Sequence, residues 1–329
     1  MRWMFVIASL GIVLAAPASA LGAGGPVGSV QGGSGISLPG GPFRYVATST
    51  GRDTAIRRIG PGGTSAIRVR GQYGIPAVDP SGTLTGLSAD GRTLVLAELP
   101  GATYPPRTTR LLVLNAPLMT VRAAITLPGW SNVDAISQDG RWLYLIHYPP
   151  SGDISRYAVL AYNLVTRRMR AKPIVDPHDR SEAMTGFPVT RVMSADGRWA
   201  YTLYIRPSGA PFIHALDTAG VRAVCVDLPS SLEKIDIGNG QLSLGPGGKT
   251  IRIDADGAMQ AVVDTRTFAV RLVHSAPVIT ERSVATPTPV ARRASTRDSG
   301  SLLWELLLAA ATLAIVGGAI QLRARLRAD

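Results

Sequence analysis

The chain has one cysteine, four histidines and only three lysines against 31 arginines. A lone thiol excludes an internal disulfide framework. Its neighbours Ala223, Val224 and Val226 mark Cys225 as a buried apolar thiol rather than a nucleophile. Nucleophile elbow, phosphate loop, dinucleotide fingerprint and zinc-ligand spacing are all missing, and Gly32-Gly33-Ser34-Gly35 is low complexity, not a phosphate cradle. No cofactor is therefore expected. The net charge of +12 comes from arginines that scatter along the chain. That distribution argues against nucleic acid and leaves anionic surfaces, such as phospholipid headgroups or acidic wall polymers, as the favoured partners.

The long apolar runs lie at the two ends. Met1-Arg2-Trp3-Met4 precedes an apolar run over 5–16 and the small-x-small exit Ala18-Ser19-Ala20. These are the parts of a secretory signal peptide over residues 1–20. Residues 302–322 have the length of a transmembrane helix, interrupted only by Glu305, with Trp304 at the outer interface and Arg323, Arg325 and Arg327 following. The expectation is an exported, single-pass protein with its domain outside and a short basic tail, 323–329, in the cytoplasm. Ala310, Ala314 and Gly318 form a small-residue stripe that would allow weak self-association of the helix. No LPxTG-like sequence precedes the span. Residues 21–42, rich in Gly and Ser, read as a flexible leader, part of which could add a strand, and 285–301 as a disordered stalk.

Between the ends a motif repeats. Ser88-Ala89-Asp90-Gly91-Arg92 recurs as Ser137-Gln138-Asp139-Gly140-Arg141 and Ser194-Ala195-Asp196-Gly197-Arg198, with a degenerate copy from Gly245 to Lys249, at spacings of 49, 57 and 51 residues. Asp-Gly favours a tight hairpin turn, because Gly takes positive φ without steric cost. An apolar strand follows each turn without clean alternation, as expected of a sheet covered on both faces. Periods of this size with strand-like content point to propeller blades. The fold class expected is all-β: a propeller over 43–284 with five blades, at about 43–78, 79–130, 131–188, 189–235 and 236–276, plus the C-terminal transmembrane helix. The first blade lacks an innermost strand in this reading, and 278–284 is the candidate to supply it. A six-blade ring completed by the leader stays open.

The Ser-x-Asp-Gly-Arg turn before an apolar strand resembles the bacterial, WD-repeat-like propeller repeats of the TolB type. The opening unit, with Arg44-Tyr45-Val46-Ala47, is similar to surface-layer propellers of the YVTN type. The resemblance implies an architecture and says little of function. It also implies that the Asp-Gly turns lie on one face and the long loops, 100–108, 149–156 and 206–211, on the other.

Those loops carry the candidate binding residues Tyr104, Arg107, Tyr148, Asp153 and Arg206, whose types suit protein or glycan contact. Asp176, His178, Asp179 and Glu182 form the one cluster of candidate metal or acid-base ligands. His147, His214 and His274 lie in or beside predicted strands and read as structural. The preferred function is a scaffold or binding module for a protein or envelope polymer. The alternatives are an envelope-acting hydrolase or lyase with its site in the propeller funnel, and a subunit of a membrane complex docked through its helix.

Overall fold

Each Ser-x-Asp-Gly-Arg turn is closed by one set of hydrogen bonds. The serine Oγ donates to the aspartate Oδ1, at 2.5 Å in Ser88–Asp90, 2.7 Å in Ser137–Asp139 and 2.6 Å in Ser194–Asp196. That Oγ also accepts the amide of the residue opening the next strand, Thr93, Trp142 or Trp199. The aspartate accepts the amide of Arg92, Arg141 or Arg198. Gly140 has φ 65°, and a Cβ there would stand 2.3 Å from Thr93 Oγ1, so conformation and space both require glycine. The degenerate copy keeps the backbone closure: Gly245 N–H donates to Thr250 O at 2.9 Å, as Ser137 N–H does to Trp142 O at 2.8 Å.

The computed structural model describes residues 28–178 and 184–273, which fall within one unit, Met1–Pro277. They form five antiparallel sheets in chain order. The first joins Ile36–Ser37, Arg44–Thr50, Asp53–Gly60 and Gly63–Arg70. The second joins Tyr73–Pro76, Thr93–Glu98, Thr108–Asn115 and Thr120–Pro128, with Ser29–Val30 added beside Tyr73–Pro76. The third joins Trp130–Ile136, Trp142–Tyr148, Arg156–Asn163 and Arg168–Met169, with Met184–Thr185 paired to Arg156–Asn163. The fourth joins Phe187–Met193, Trp199–Ile205, Phe212–Asp217 and Arg222–Asp227, and the fifth Gln241–Leu244, Thr250–Ala255, Ala258–Asp264 and Val270–Leu272.

The core lies between sheets rather than at one centre. Tyr45, Ile56, Ile75 and Leu96 join the first sheet to the second, and Val95, Val113, Val133 and Leu145 the second to the third. Tyr144, Tyr157, Tyr204 and Phe212 join the third to the fourth, and Leu203, Ile213, Ile251 and Val263 the fourth to the fifth. Middle strands such as Phe212–Asp217 are buried at every position because both faces are covered. This serial, face-to-face stacking is consistent with a propeller-like fold.

Part of the stretch read as a leader adds strand, the alternative that reading left open: Ile36–Ser37 pairs with Arg44–Thr50, and Ser29–Val30 with Tyr73–Pro76. Ile36–Ser37 therefore occupies the sheet edge that 278–284 was expected to fill. Gly35 permits this entry, since at φ 66° a Cβ would stand 2.1 Å from Tyr45 O. Blade limits also shift, because Tyr73–Pro76 belongs to the second sheet, not the first. The expected signal peptide, residues 278–284, the stalk, the transmembrane helix and the tail lie outside the described residues.

Candidate functional site

The strands Thr93–Glu98, Trp142–Tyr148 and Trp199–Ile205 start at the Asp-Gly turns and end at the opposite edge of their sheets. The connections that follow therefore collect at that far edge. There Trp130, the first residue of its strand, stands directly opposite Tyr148, the last of its own. Their ring centroids are 4.4 Å apart, and Tyr104 meets Trp130 edge-on at 5.1 Å. Trp130 and Tyr148 are buried, while Tyr104 is 60% exposed. A cavity beside them is lined by Pro105, Pro106, Arg107, His147, Pro149 and Pro150. Proline rings and aromatic faces give rigid apolar contact area at little entropic cost, and the tyrosine hydroxyl adds a polar handle.

Arg107 is exposed, and among the described residues the ion-paired arginines are Arg110, Arg191, Arg198, Arg206, Arg222 and Arg252. Arg107 is therefore an available cation at the rim. His147 closes the floor, with Nδ1 2.9 Å from Ser131 Oγ. A Cβ at Gly129 would stand 2.8 Å from His147 Cε1, so the glycine lets the ring lie close. Burial pushes the His147 pKa down, and the Tyr148 hydroxyl up with help from the Asp134 charge. Both are neutral at neutral pH.

Two sequence candidates sit apart from this groove in role. Asp153 is exposed at the tip of the 149–155 loop, and its Oδ1 accepts from Ser155 Oγ and N–H at 2.6 and 3.0 Å. These bonds hold its carboxyl below the usual range. The aspartate closes its own turn and also borders a second cavity with Pro149, Pro150 and Arg156. Arg206 is engaged internally: it bonds Asp227 at 2.7 Å and the Ala210 carbonyl, and lies 4.2 Å over the Phe212 ring.

Of the candidate metal cluster, Asp176 and His178 are described, and they meet with His178 Nδ1 3.0 Å from Asp176 Oδ1. Asp176 is buried and acts as a staple. Its Oδ1 accepts the His178 amide at 2.8 Å, and its Oδ2 accepts the Cys225 amide at 2.6 Å, tying the connection between sheets to the outer strand of the fourth. The His178 side chain is 93% exposed. Asp179 and Glu182 lie outside the described residues. Among the described residues no group of three His, Cys, Asp or Glu side chains is placed to hold a metal.

Sequence reading missed two features. Trp130 is the centre of the groove, although Gly129-Trp130 fell on a blade boundary and drew no notice. The second is a polar row across the fourth sheet, where Arg191, Thr202, His214 and Cys225 stand opposite one another on successive strands. Arg191 Nε donates to Thr202 Oγ1 at 2.7 Å, and its guanidinium reaches the Asp134 carboxylate and carbonyl on the third sheet. Arg191 and His214, each inside an otherwise apolar strand, were the available signal. His214 is buried, which pushes its pKa to about 4. Cys225 is half-buried rather than fully buried.

No protein-family model matches the chain, and no curated relative does. Solved structures do. TolB from Acinetobacter baumannii is 13% identical with a TM-score of 0.38, over 71% of this chain and 54% of that one. Oligogalacturonate lyase from Vibrio parahaemolyticus is 9% identical with a TM-score of 0.44, over 75% of this chain and 78% of that one. An oligogalacturonate lyase in complex with manganese is 13% identical with a TM-score of 0.46, over 73% and 64%. The chain thus spans about half the length of the TolB structure it matches.

Proposed function

We propose that this protein is a five-bladed, propeller-like binding module that engages a protein or envelope-polymer partner through the groove at its long-loop edge. The observation that carries this reading is the Tyr104–Trp130–Tyr148 stack beside a proline-lined cavity with the exposed Arg107 at its rim. A rigid floor with a protruding aromatic and a cation at the edge is how binding anchors are built. In this reading the Arg107 guanidinium at the rim and His147, held by Ser131 in the floor, serve contact with the partner.

The apolar ends complete the proposal: export by residues 1–20 and retention in the membrane by 302–322, with the domain outside. Protease treatment of intact cells should digest the domain, and protection of the domain would sink this orientation.

The test of the groove is affinity capture from an envelope fraction, using the full chain in mild detergent. Wild type is compared with a Tyr104→Ala/Arg107→Ala variant. Loss of a partner by a variant that melts like the wild type supports the reading; equal capture by both removes the groove from it.

A further inference from the structure

The first sheet packs one face on the second, through Tyr45, Ala47, Ile56, Ile67 and Val69. Its other face carries a line of arginines. Arg57 stands opposite both Val46 and Ala66; Arg44 lies two residues before Val46, and Arg68 two residues after Ala66. Arg70 continues the line two residues beyond Arg68. Side chains two apart along a strand share a face, and diagonal cross-strand neighbours lie about 7–8 Å apart. Arg44, Arg57, Arg68 and Arg70 therefore form one continuous diagonal of cations at nearly even spacing.

All four are exposed, and none takes part in the ion pairs found among the described residues. Asp53 shares the face and stands opposite Arg70 in register without forming an ion pair with it. The rest of the face is uncharged: Val46, Thr48, Thr50, Ala55, Ile59, Thr64 and Ala66, with Val46 buried. A diagonal row of exposed guanidinium forks is complementary to an extended chain of phosphates, since each fork can hold one phosphate bidentately. The face offers no aromatic side chain on which a base could stack, which disfavours single-stranded nucleic acid.

We infer that this face binds a linear phosphodiester polymer without bases, of the poly(glycerol phosphate) kind, laid along the arginine diagonal. The surface is separate from the Tyr104 groove and does not depend on it.

The experiment measures binding of a labelled synthetic poly(glycerol phosphate) oligomer to the full-length protein in detergent, over a series of salt concentrations. Four neutralised phosphates give a slope of log K against log salt of about −3. The Arg57→Gln/Arg68→Gln variant should bind at least tenfold more weakly, with about half the slope and an unchanged melting temperature. A control variant, Arg92→Gln/Arg141→Gln, loses the same charge from exposed turns and should bind like the wild type. Equal weakening of both variants, or of neither, overturns the inference. So does tighter binding of single-stranded DNA of equal charge, or a loss in the variant seen only with anionic lipid vesicles.

Discussion

Arg191, on the first strand of the fourth sheet, is ion-paired with Asp134, on the first strand of the third, and both side chains are within 2% of complete burial. Asp134 sits where the pairing of Trp130–Ile136 with Trp142–Tyr148 shifts register, between Val133 and Ala135. The irregularity aims a carboxylate out of its own sheet and into the neighbouring one. The pair thus fixes one sheet against the next with a directional contact that the surrounding apolar core does not supply.

Breaking such a pair leaves a buried charge unmatched, which costs roughly 3–5 kcal/mol. Arg191→Ala should destabilise the protein by about that amount in urea unfolding. Arg191→Met with Asp134→Leu should recover much of the loss, because removing both charges removes the desolvation penalty. A loss below about 1 kcal/mol in Arg191→Ala would show that the pair does not hold the sheets together.

The turn serines should behave alike despite their separation in the chain. Ser137→Ala deletes a buried hydroxyl that donates to Asp139 and accepts the Trp142 amide, and Ser194→Ala deletes the equivalent at Asp196 and Trp199. Each should cost about 1–2 kcal/mol, the greater loss falling on the more buried Ser137. Equal stability of wild type and both variants would mean that the backbone closure alone sets the turn, as in the copy at Gly245.

Acid should weaken the fold in two windows. His214, pushed by burial to about 4 from its ordinary 6.5, is neutral when folded and takes up a proton more readily when unfolded. Its contribution is complete above about pH 6.5 and is lost as pH falls toward 4. Burial also raises Asp217, but hydrogen bonds from Arg198, the Gly220 amide and Arg222 outweigh it and hold the carboxyl at about 2 against its ordinary 3.8. Its contribution is complete above about 3.8 and is lost as pH falls toward 2. Stability measured against pH should lose the upper slope in His214→Gln and the lower slope in Asp217→Asn. Parallel curves for wild type and variant would contradict the assignment.

Arg107 and Arg206 should separate under one assay. Arg206→Ala removes a bond to Asp227 and a stacked contact on Phe212, and should cost about 1 kcal/mol. Arg107→Ala removes an exposed side chain and should leave the melting temperature unchanged within error. Equal melting of the two variants would place Arg206 with the free loop arginines after all.

Much of the architecture was legible because it rests on local chemistry. Asp-Gly turns need positive φ and a side-chain acceptor, and these requirements write a motif that repeats wherever the turn repeats. The strands that follow are apolar on both faces because neighbouring sheets cover them, so they too announce themselves. The resemblance to TolB-type repeats placed the long loops at the edge opposite the turns, and Tyr104, Arg107, Tyr148 and Asp153 stand there. The role of Arg206 was not legible, because its partners Asp227 and Phe212 come from other strands. Ile36–Ser37 was equally hard to read, since two residues carry no periodicity and gain their place by pairing with Tyr45 and Arg44.

By itself the sequence determined an all-β chain, its turn positions and the strands after each turn, all set by interactions within a few residues. Tertiary structure alone decided that Trp130 meets Tyr148 and Tyr104, that Arg191 meets Asp134 and that four arginines align across the first sheet. These relations depend on register and on which sheet faces which, and both are fixed only when separate segments pack together.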